Sequence, residues 1–248
     1  MIPSRFFLCG PTASGKTALA LALAEAWDGE IVNGDAFQIY RGLEILSAAP
    51  SGEEQAACPH YLFGVIGSAE SMDAAKYAAL ANPVIEEIES RGKTAIVVGG
   101  SGLYLKFLTH GIAKAPPGDE GIRAELEDWA VDQIYERLKE LDPDEAMRQN
   151  PQNRRHLSRA LEICLVTGGK ASKLRQNFGD PTLLEGLKGI VLNWPREMLA
   201  ERIALRTRVM LNSGAINEVK ELPLEAGTIR QAIGCLLYTS DAADDWSS

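Results

Sequence analysis

The sequence predicts an α/β fold, a parallel sheet flanked by helices, with a helical insertion domain. Three observations lead there. Short apolar runs that end in glycines or turns alternate with helical stretches. One such run opens directly into a glycine-rich loop and then into an alanine- and leucine-rich stretch. A long middle section carries no strand-like run at all.

The elements follow in order. "RFFLCG" (5–10) is a short apolar run closed by glycine and reads as a buried strand. "TALALALAEAW" (17–27) is made of strong helix formers. "EIVNGD" (30–35) reads as a second strand ending in a turn. "MDAAKYAALANPVIEEIESRG" (72–92) reads as helix, with Pro83 kinking it or starting a new one. "TAIVVGGSG" (94–102) is a β-branched run bounded by glycines, hence a central strand. "GIVLNW" (189–194) is another, stopped by Pro195, with a helix expected from Arg196 to Asn212. Gly10, Asp35 and Ser101 each follow an apolar strand directly. Ligands of parallel sheets bind beyond the carboxyl ends of the strands, so three separate stretches converge on one edge.

"KAPPGDEG" (114–121) looks like a boundary, and no convincing strand follows until about residue 180. Charge is segregated within this section. Residues 119–145 hold eleven acids against three bases, whereas 147–175 hold seven bases (Arg148, Arg154, Arg155, Arg159, Lys170, Lys173, Arg175) against Glu162 alone.

Composition narrows the functional classes. The chain of 248 residues is 46% hydrophobic and 24% charged, ordinary for a soluble globular protein of one large domain with or without an insertion. Its net charge of −9 does not attract nucleic acid to the surface as a whole, so any such partner needs a local basic patch. No apolar run is long enough to span a bilayer, and the N-terminus lacks a secretory signal pattern. Cys9, Cys58, Cys164 and Cys235 lie far apart with no C-x-x-C pair, which fits free thiols in a cytoplasmic protein and not a zinc site.

"GPTASGKT" supplies Gly10, Pro11, Thr12, Ala13, Ser14, Gly15, Lys16 and Thr17 in the spacing G-x-x-x-x-G-K-[ST]. With a strand before and a helix after, the expected fold is P-loop NTPase-like. Backbone N–H groups between Gly10 and Thr17 can point at phosphate oxygens, and the next helix adds its N-terminal dipole. Lys16 reaches the terminal phosphate and the Thr17 hydroxyl holds Mg²⁺. Read alone, the loop points to ATP. Asp35, in "NGDAFQIY", either caps a turn or serves as a water-mediated Mg²⁺ ligand or a proton acceptor. Gln38 and Tyr40 offer hydrogen-bonding or stacking groups. Ser101, in "GGSGLY", is either an incidental turn residue or a donor to phosphate or acceptor. Arg155 and Arg159, four apart in "NRRHLSRALEI", suit phosphate contacts or form a solvated basic face. Arg202 and Arg206, one turn apart, pair with acids or point at the phosphate pocket. His60 and His110 show no partner pattern.

The motifs "GPTASGKT", "NGDAFQIYRGL", "VVGGSGLY", "LSRALEI", "RIALRTRVMLNSG" and "IRQAIG" occur in the order found in tRNA dimethylallyltransferases. The sequence resembles that tRNA isopentenyltransferase family from about residue 5 to 234. The resemblance implies transfer of a dimethylallyl group from dimethylallyl diphosphate to N6 of the adenosine 3′-adjacent to the anticodon, in tRNAs that read U-starting codons. It implies a core of residues 1–113 and 181–235, an insertion over 114–180 that grips the anticodon stem-loop, and a monomer with no membrane partner. The phosphate loop then holds the donor's diphosphate with Mg²⁺, and Asp35 is general base toward N6. Ser101, usually Thr in the family, contacts the base, and Arg206 helps close the donor channel. Asp35, Ala36, Phe37, Gln38, Arg123, Arg155, His156, Leu157, Ser158, Arg159 and Arg230 fall at tRNA contacts. Ala49 stands where the family often has Lys, and Cys235 where an aromatic residue is common. "LLYTSDAADDWSS" (236–248) does not resemble the family, so this tail is expected to be foreign and the natural C-terminus to be missing.

The alternatives are of other classes. A P-loop small-molecule kinase needs ATP in the loop and an arginine-rich lid, which the basic insertion can imitate. A relative that prenylates free adenine nucleotides does not need so large an insertion. A non-catalytic RNA-binding module leaves the set Lys16, Thr17, Asp35 without a task.

Overall fold

The computed structural model describes residues 2–111, 116, 118–176, 186–223, 229 and 232. The chain divides into two compact units, Met1–Thr109 with Gly186–Ser248, and His110–Glu185. In the first unit the order is β1 (Arg5–Cys9), α1 (Lys16–Trp27), β2 (Gly29–Asn33), α2 (Glu44–Ser47), α3 (Gly52–Ala57), β3 (His60–Tyr61), α4 (Ala74–Ser90), β4 (Thr94–Gly99) and α5 (Gly102–His110). The insertion supplies α6 (Glu120–Glu127), α7 (Val131–Leu141), α8 (Pro143–Arg148), α9 (Arg154–Thr167) and α10 (Ala171–Gln176). The chain then returns through β5 (Gly189–Val191), α11 (Arg196–Asn212) and α12 (Ala215–Glu221).

The five strands pair in parallel in the order β3-β2-β4-β1-β5. Successive side chains of a strand point to opposite faces, and the cores divide accordingly. Phe7, Val32, Ala95 and Val97 face one way and pack with Tyr77, Ala81 and Ile85 of α4 and with Tyr104 of α5. Leu8, Ile31, Ile96 and Val98 face the other way and pack with Ala20 and Ala24 of α1. Both faces are covered, and β2 and β4 are buried throughout, with Ile31, Val32, Ala95, Ile96, Val97 and Val98 as their apolar centres and Glu30, Asn33 and Thr94 as buried polar residues.

The elements read from sequence are present. Helix α4 runs unbroken through Pro83 and begins at Asp73, whose carboxylate accepts the N–H groups of Ala75 and Lys76. Tyr40 is packed: it is 1% exposed, and its hydroxyl accepts the N–H of Met72. Strand β3 gave no sequence signal because two residues cannot show an alternation. Close backbone approach at the carboxyl edge sets up the site. A Cβ on Gly99 would collide with the carbonyl of Gly34, so only glycine lets the ends of β2 and β4 come together there.

The second unit is helical, with no strand among its described residues. Leu126, Ile134, Leu138, Leu157, Leu161 and Ile163 form its core. Buried Asp142 caps α8 through the Glu145 N–H and also accepts from the N–H and hydroxyl of Ser172, fixing the start of α10. No helix among the described residues is long and apolar enough to cross a membrane.

Candidate active site

The loop between β1 and α1 turns through left-handed residues, and its Ser14 N–H donates to the Pro11 carbonyl (3.4 Å). Gly15 lies at φ 93 and Ala13 at φ 60, a left-handed geometry that glycine takes freely and alanine does not. No side chain caps α1, which leaves its first N–H groups for an anion. The Lys16 ammonium folds back on the loop and donates to the carbonyls of Gly10 (2.9 Å) and Pro11 (2.7 Å). Burial lowers the Lys16 pKa; the nearby Asp35 carboxylate opposes this, and Arg206 adds to it. The Thr17 hydroxyl has no hydrogen-bond partner among the described residues. Gly10 to Thr17 line a cleft of about 830 Å³ together with Asp35, Phe37, Gln38, Ser101 and, from α11, Arg202, Leu205, Arg206 and Val209.

The segment after β2 is held from several sides, first by Asn33. Asn33 is fully buried; its amide donates to the carbonyls of Asp35 (3.1 Å) and Leu62 (2.9 Å), and its Oδ1 accepts the Asp35 N–H (2.8 Å). Tyr77 donates its hydroxyl to the Asn33 carbonyl and stacks on Tyr104 at 4.4 Å. Asp35 uses Oδ1 to accept the Phe37 N–H (2.9 Å), the turn-capping role. Its Oδ2 takes no hydrogen bond among the described residues, so one carboxylate oxygen fixes the side chain and the other remains to act. Ser101 Oγ accepts the Ala36 N–H at 2.8 Å, which leaves the hydroxyl proton to donate. Gln38 spends its amide N–H groups on the carbonyls of Ser47 (3.0 Å) and Ala48 (2.9 Å). Arg206 is half-buried in the cleft; burial lowers its pKa, against the pull of Asp35. Two cations, Lys16 and Arg206, and one carboxylate, Asp35, thus line a cleft to which Leu205 and Val209 add apolar surface.

The sequence model of the IPP transferase family matches residues 38–240. The tRNA dimethylallyltransferase of Akkermansia muciniphila is 42% identical over 234 residues, 94% of this chain and 79% of that protein. The chain belongs to the IPP transferase family. Solved structures agree: the tRNA isopentenylpyrophosphate transferase of Bacillus halodurans is 33% identical with a TM-score of 0.63, over 94% of this chain and 75% of that one. A eukaryotic dimethylallyltransferase acting on tRNA is 29% identical with a TM-score of 0.74, over 89% of this chain and 56% of that one.

In this IPP transferase the basic residues of the insertion divide into two kinds. Glu162 is 1% exposed and accepts the Asp119 N–H (2.6 Å), Arg123 Nε (2.9 Å) and Arg159 Nη1 (2.5 Å). Arg159 also donates to the Pro116 carbonyl. Arg154 holds the carbonyls of Leu126, Glu127 and Trp129, closing the end of α6. Arg123, Arg154 and Arg159 therefore have partners inside their own unit and are not simply a solvated basic face. Leu157, among the expected tRNA contacts, is 0% exposed and packs in the helical core. Arg155 and His156 are exposed, Ser158 is half-buried, and Arg155 has no ion pair among the described residues. Arg230 and the tail 236–248 lie outside the described residues.

Asn33, Tyr77 and Trp194 carry no local sequence signal for their roles at this site. Asn33 and Tyr77 read as strand and helix residues, and only the fold shows them holding the Asp35 loop. Trp194 sat unremarked at the end of a strand.

Proposed function

We propose that this chain prenylates tRNA, transferring a dimethylallyl group from dimethylallyl diphosphate to N6 of the adenosine 3′-adjacent to the anticodon in tRNAs reading U-starting codons. The observation that carries the reading is the cleft itself. Its loop amides, Lys16, Thr17, Asp35, Ser101 and Arg206 line one space, with Leu205 and Val209 beside them as apolar surface. The relatives are tRNA dimethylallyltransferases, which leaves the kinase reading without support.

The new bond joins N6 to the prenyl carbon; the carbon–oxygen bond to diphosphate breaks, and the N6 proton passes to Asp35 Oδ2. An adenine amine is a weak nucleophile, so removing the proton as the bond forms helps. Lys16, Arg206 and the loop N–H groups stabilise charge growing on the diphosphate. Ser101 donates its free proton to the incoming base. The target base is drawn out of its stacked loop to reach the cleft. Arg155 and His156 contact the RNA backbone.

The donor set fits Mg²⁺ of the kind that keeps several waters and shares substrate phosphates, with Thr17 Oγ1 as its protein ligand. When bound, Mg²⁺ neutralises charge on the diphosphate. The reading takes the enzyme to act as a monomer in the cytoplasm.

Asp35→Ala tests the base. We expect turnover to fall about a hundredfold or more while tRNA affinity is nearly kept. Near-normal turnover would remove Asp35 from that role.

A further inference from the structure

Strand β5 lies beside β1, and the Leu192 N–H extends the ladder to the Cys9 carbonyl (2.8 Å). The chain leaving β5 therefore runs alongside the phosphate loop leaving β1. Two side chains reach across. Trp194 Nε1 donates to the Ser14 carbonyl at 2.9 Å, and Arg202 Nε donates to the Ala13 carbonyl at 2.7 Å. The Arg202 guanidinium also stacks over the Trp194 ring, 4.7 Å from its centroid. The two donors thus brace each other and grip successive carbonyls of the loop.

In a trans peptide the C=O and N–H lie in one plane and point in opposite directions across the C–N bond, and the chain has no cis peptide among its described residues. Fixing the Ala13 carbonyl toward α11 turns the Ser14 N–H the other way, where it closes the turn of the loop on the Pro11 carbonyl (3.4 Å). Fixing the Ser14 carbonyl turns the Gly15 N–H away from α11. The grip falls on Ala13, whose φ of 60 is a left-handed geometry that alanine does not take freely, and on the residue after it. We propose that Trp194 and Arg202 form a clamp that holds the peptide planes of the phosphate loop in the anion-binding orientation. They are positioning residues for the diphosphate, acting through the loop from outside it. This rests on the reading that the loop holds the donor's diphosphate.

The test is calorimetric titration of inorganic diphosphate, with Mg²⁺, into the 248-residue chain and its variants, paired with steady-state kinetics. Trp194→Phe keeps an aromatic ring under Arg202 but removes the N–H. Arg202→Lys keeps the charge but removes the flat donor, and it sits on an exposed helix face where folding is not at stake. Each is expected to weaken diphosphate binding and raise the KM for prenyl donor by about threefold to tenfold, the range of one lost hydrogen bond. The KM for tRNA and the melting temperature should stay at parent values. Unchanged diphosphate affinity in either folded variant overturns the clamp. So does a loss that follows a lowered melting temperature and moves both KM values alike, because that is the mark of a general staple. Lys16→Ala separates the two claims. If it weakens diphosphate while the clamp variants do not, the clamp alone fails; if it leaves diphosphate binding unchanged, the reading of the loop fails and the clamp with it.

Discussion

Ser101 Oγ accepts the Ala36 N–H at 2.8 Å and so ties the end of β4 to the segment that carries Asp35. The tie joins two strand ends that Gly99 and Gly34 already bring together. It makes the placement of the Asp35 carboxylate depend on a hydroxyl 66 positions away in the chain. Ser101→Ala removes the acceptor and leaves the Ala36 N–H without it, so activity should fall about tenfold or more, the loss of roughly 1.4 kcal/mol or more in the transition state. Ser101→Thr restores the hydroxyl and should restore the rate. Equal rates for Ala and Thr variants would show that the tie does not matter to catalysis.

The arginines of α9 should separate in a binding assay. Arg155 is exposed and without an ion pair among the described residues, whereas Arg159 is bound to Glu162 and to the Pro116 carbonyl. Arg155→Gln should weaken tRNA binding, lower the salt slope by about one, and leave the melting temperature unchanged. Arg159→Gln should instead cost about 1–3 kcal/mol of stability, because it takes a charged hydrogen bond from buried Glu162. Filter binding across a salt series, with a thermal melt of each variant, checks both.

Glu162 also predicts an acid limb for stability. Burial raises the pKa of its carboxyl, but the hydrogen bonds from Arg159, the Asp119 N–H and Arg123 outweigh this and hold it below the ordinary 4.5. The native state therefore binds the proton less readily than the unfolded chain. The stabilisation is complete above about pH 4.5 and is lost as pH falls through the depressed native value. Melting temperatures from pH 7 to 3 should show Glu162→Gln less stable than the parent at neutral pH, with the gap closing in acid. A gap that stays constant with pH would contradict the charge-based account. Glu30, held low by Arg91, adds an acid limb of the same sign that is common to both proteins.

What could be read from the sequence was what repeats or what chemistry constrains. Apolar runs located β1, β2, β4 and β5, and the loop motif located Lys16 and Thr17. Gly10, Asp35 and Ser101 were placed at one edge because each follows a strand, and all three line the same cleft. What stayed hidden depends on pairing across the chain. Nothing local marks Asn33 as the organiser of the Asp35 loop, or Trp194 as a donor to Ser14 180 residues earlier. The basic run of the insertion looked uniform because sequence shows charge and not partners. Glu162, its lone acid, was the signal: an isolated carboxylate among arginines on an apolar-faced helix is placed to bind them from inside.

In the proposed reaction the group that moves is the carbon chain, and phosphate is only the handle. Mass spectrometry of an unmodified tRNA after incubation with the protein, Mg²⁺ and dimethylallyl diphosphate tests this most directly. A mass gain of one prenyl unit on the adenosine 3′ of the anticodon, dependent on Asp35 and Lys16, is expected. An unmodified tRNA, with phosphoryl transfer from ATP to a small acceptor instead, would contradict it.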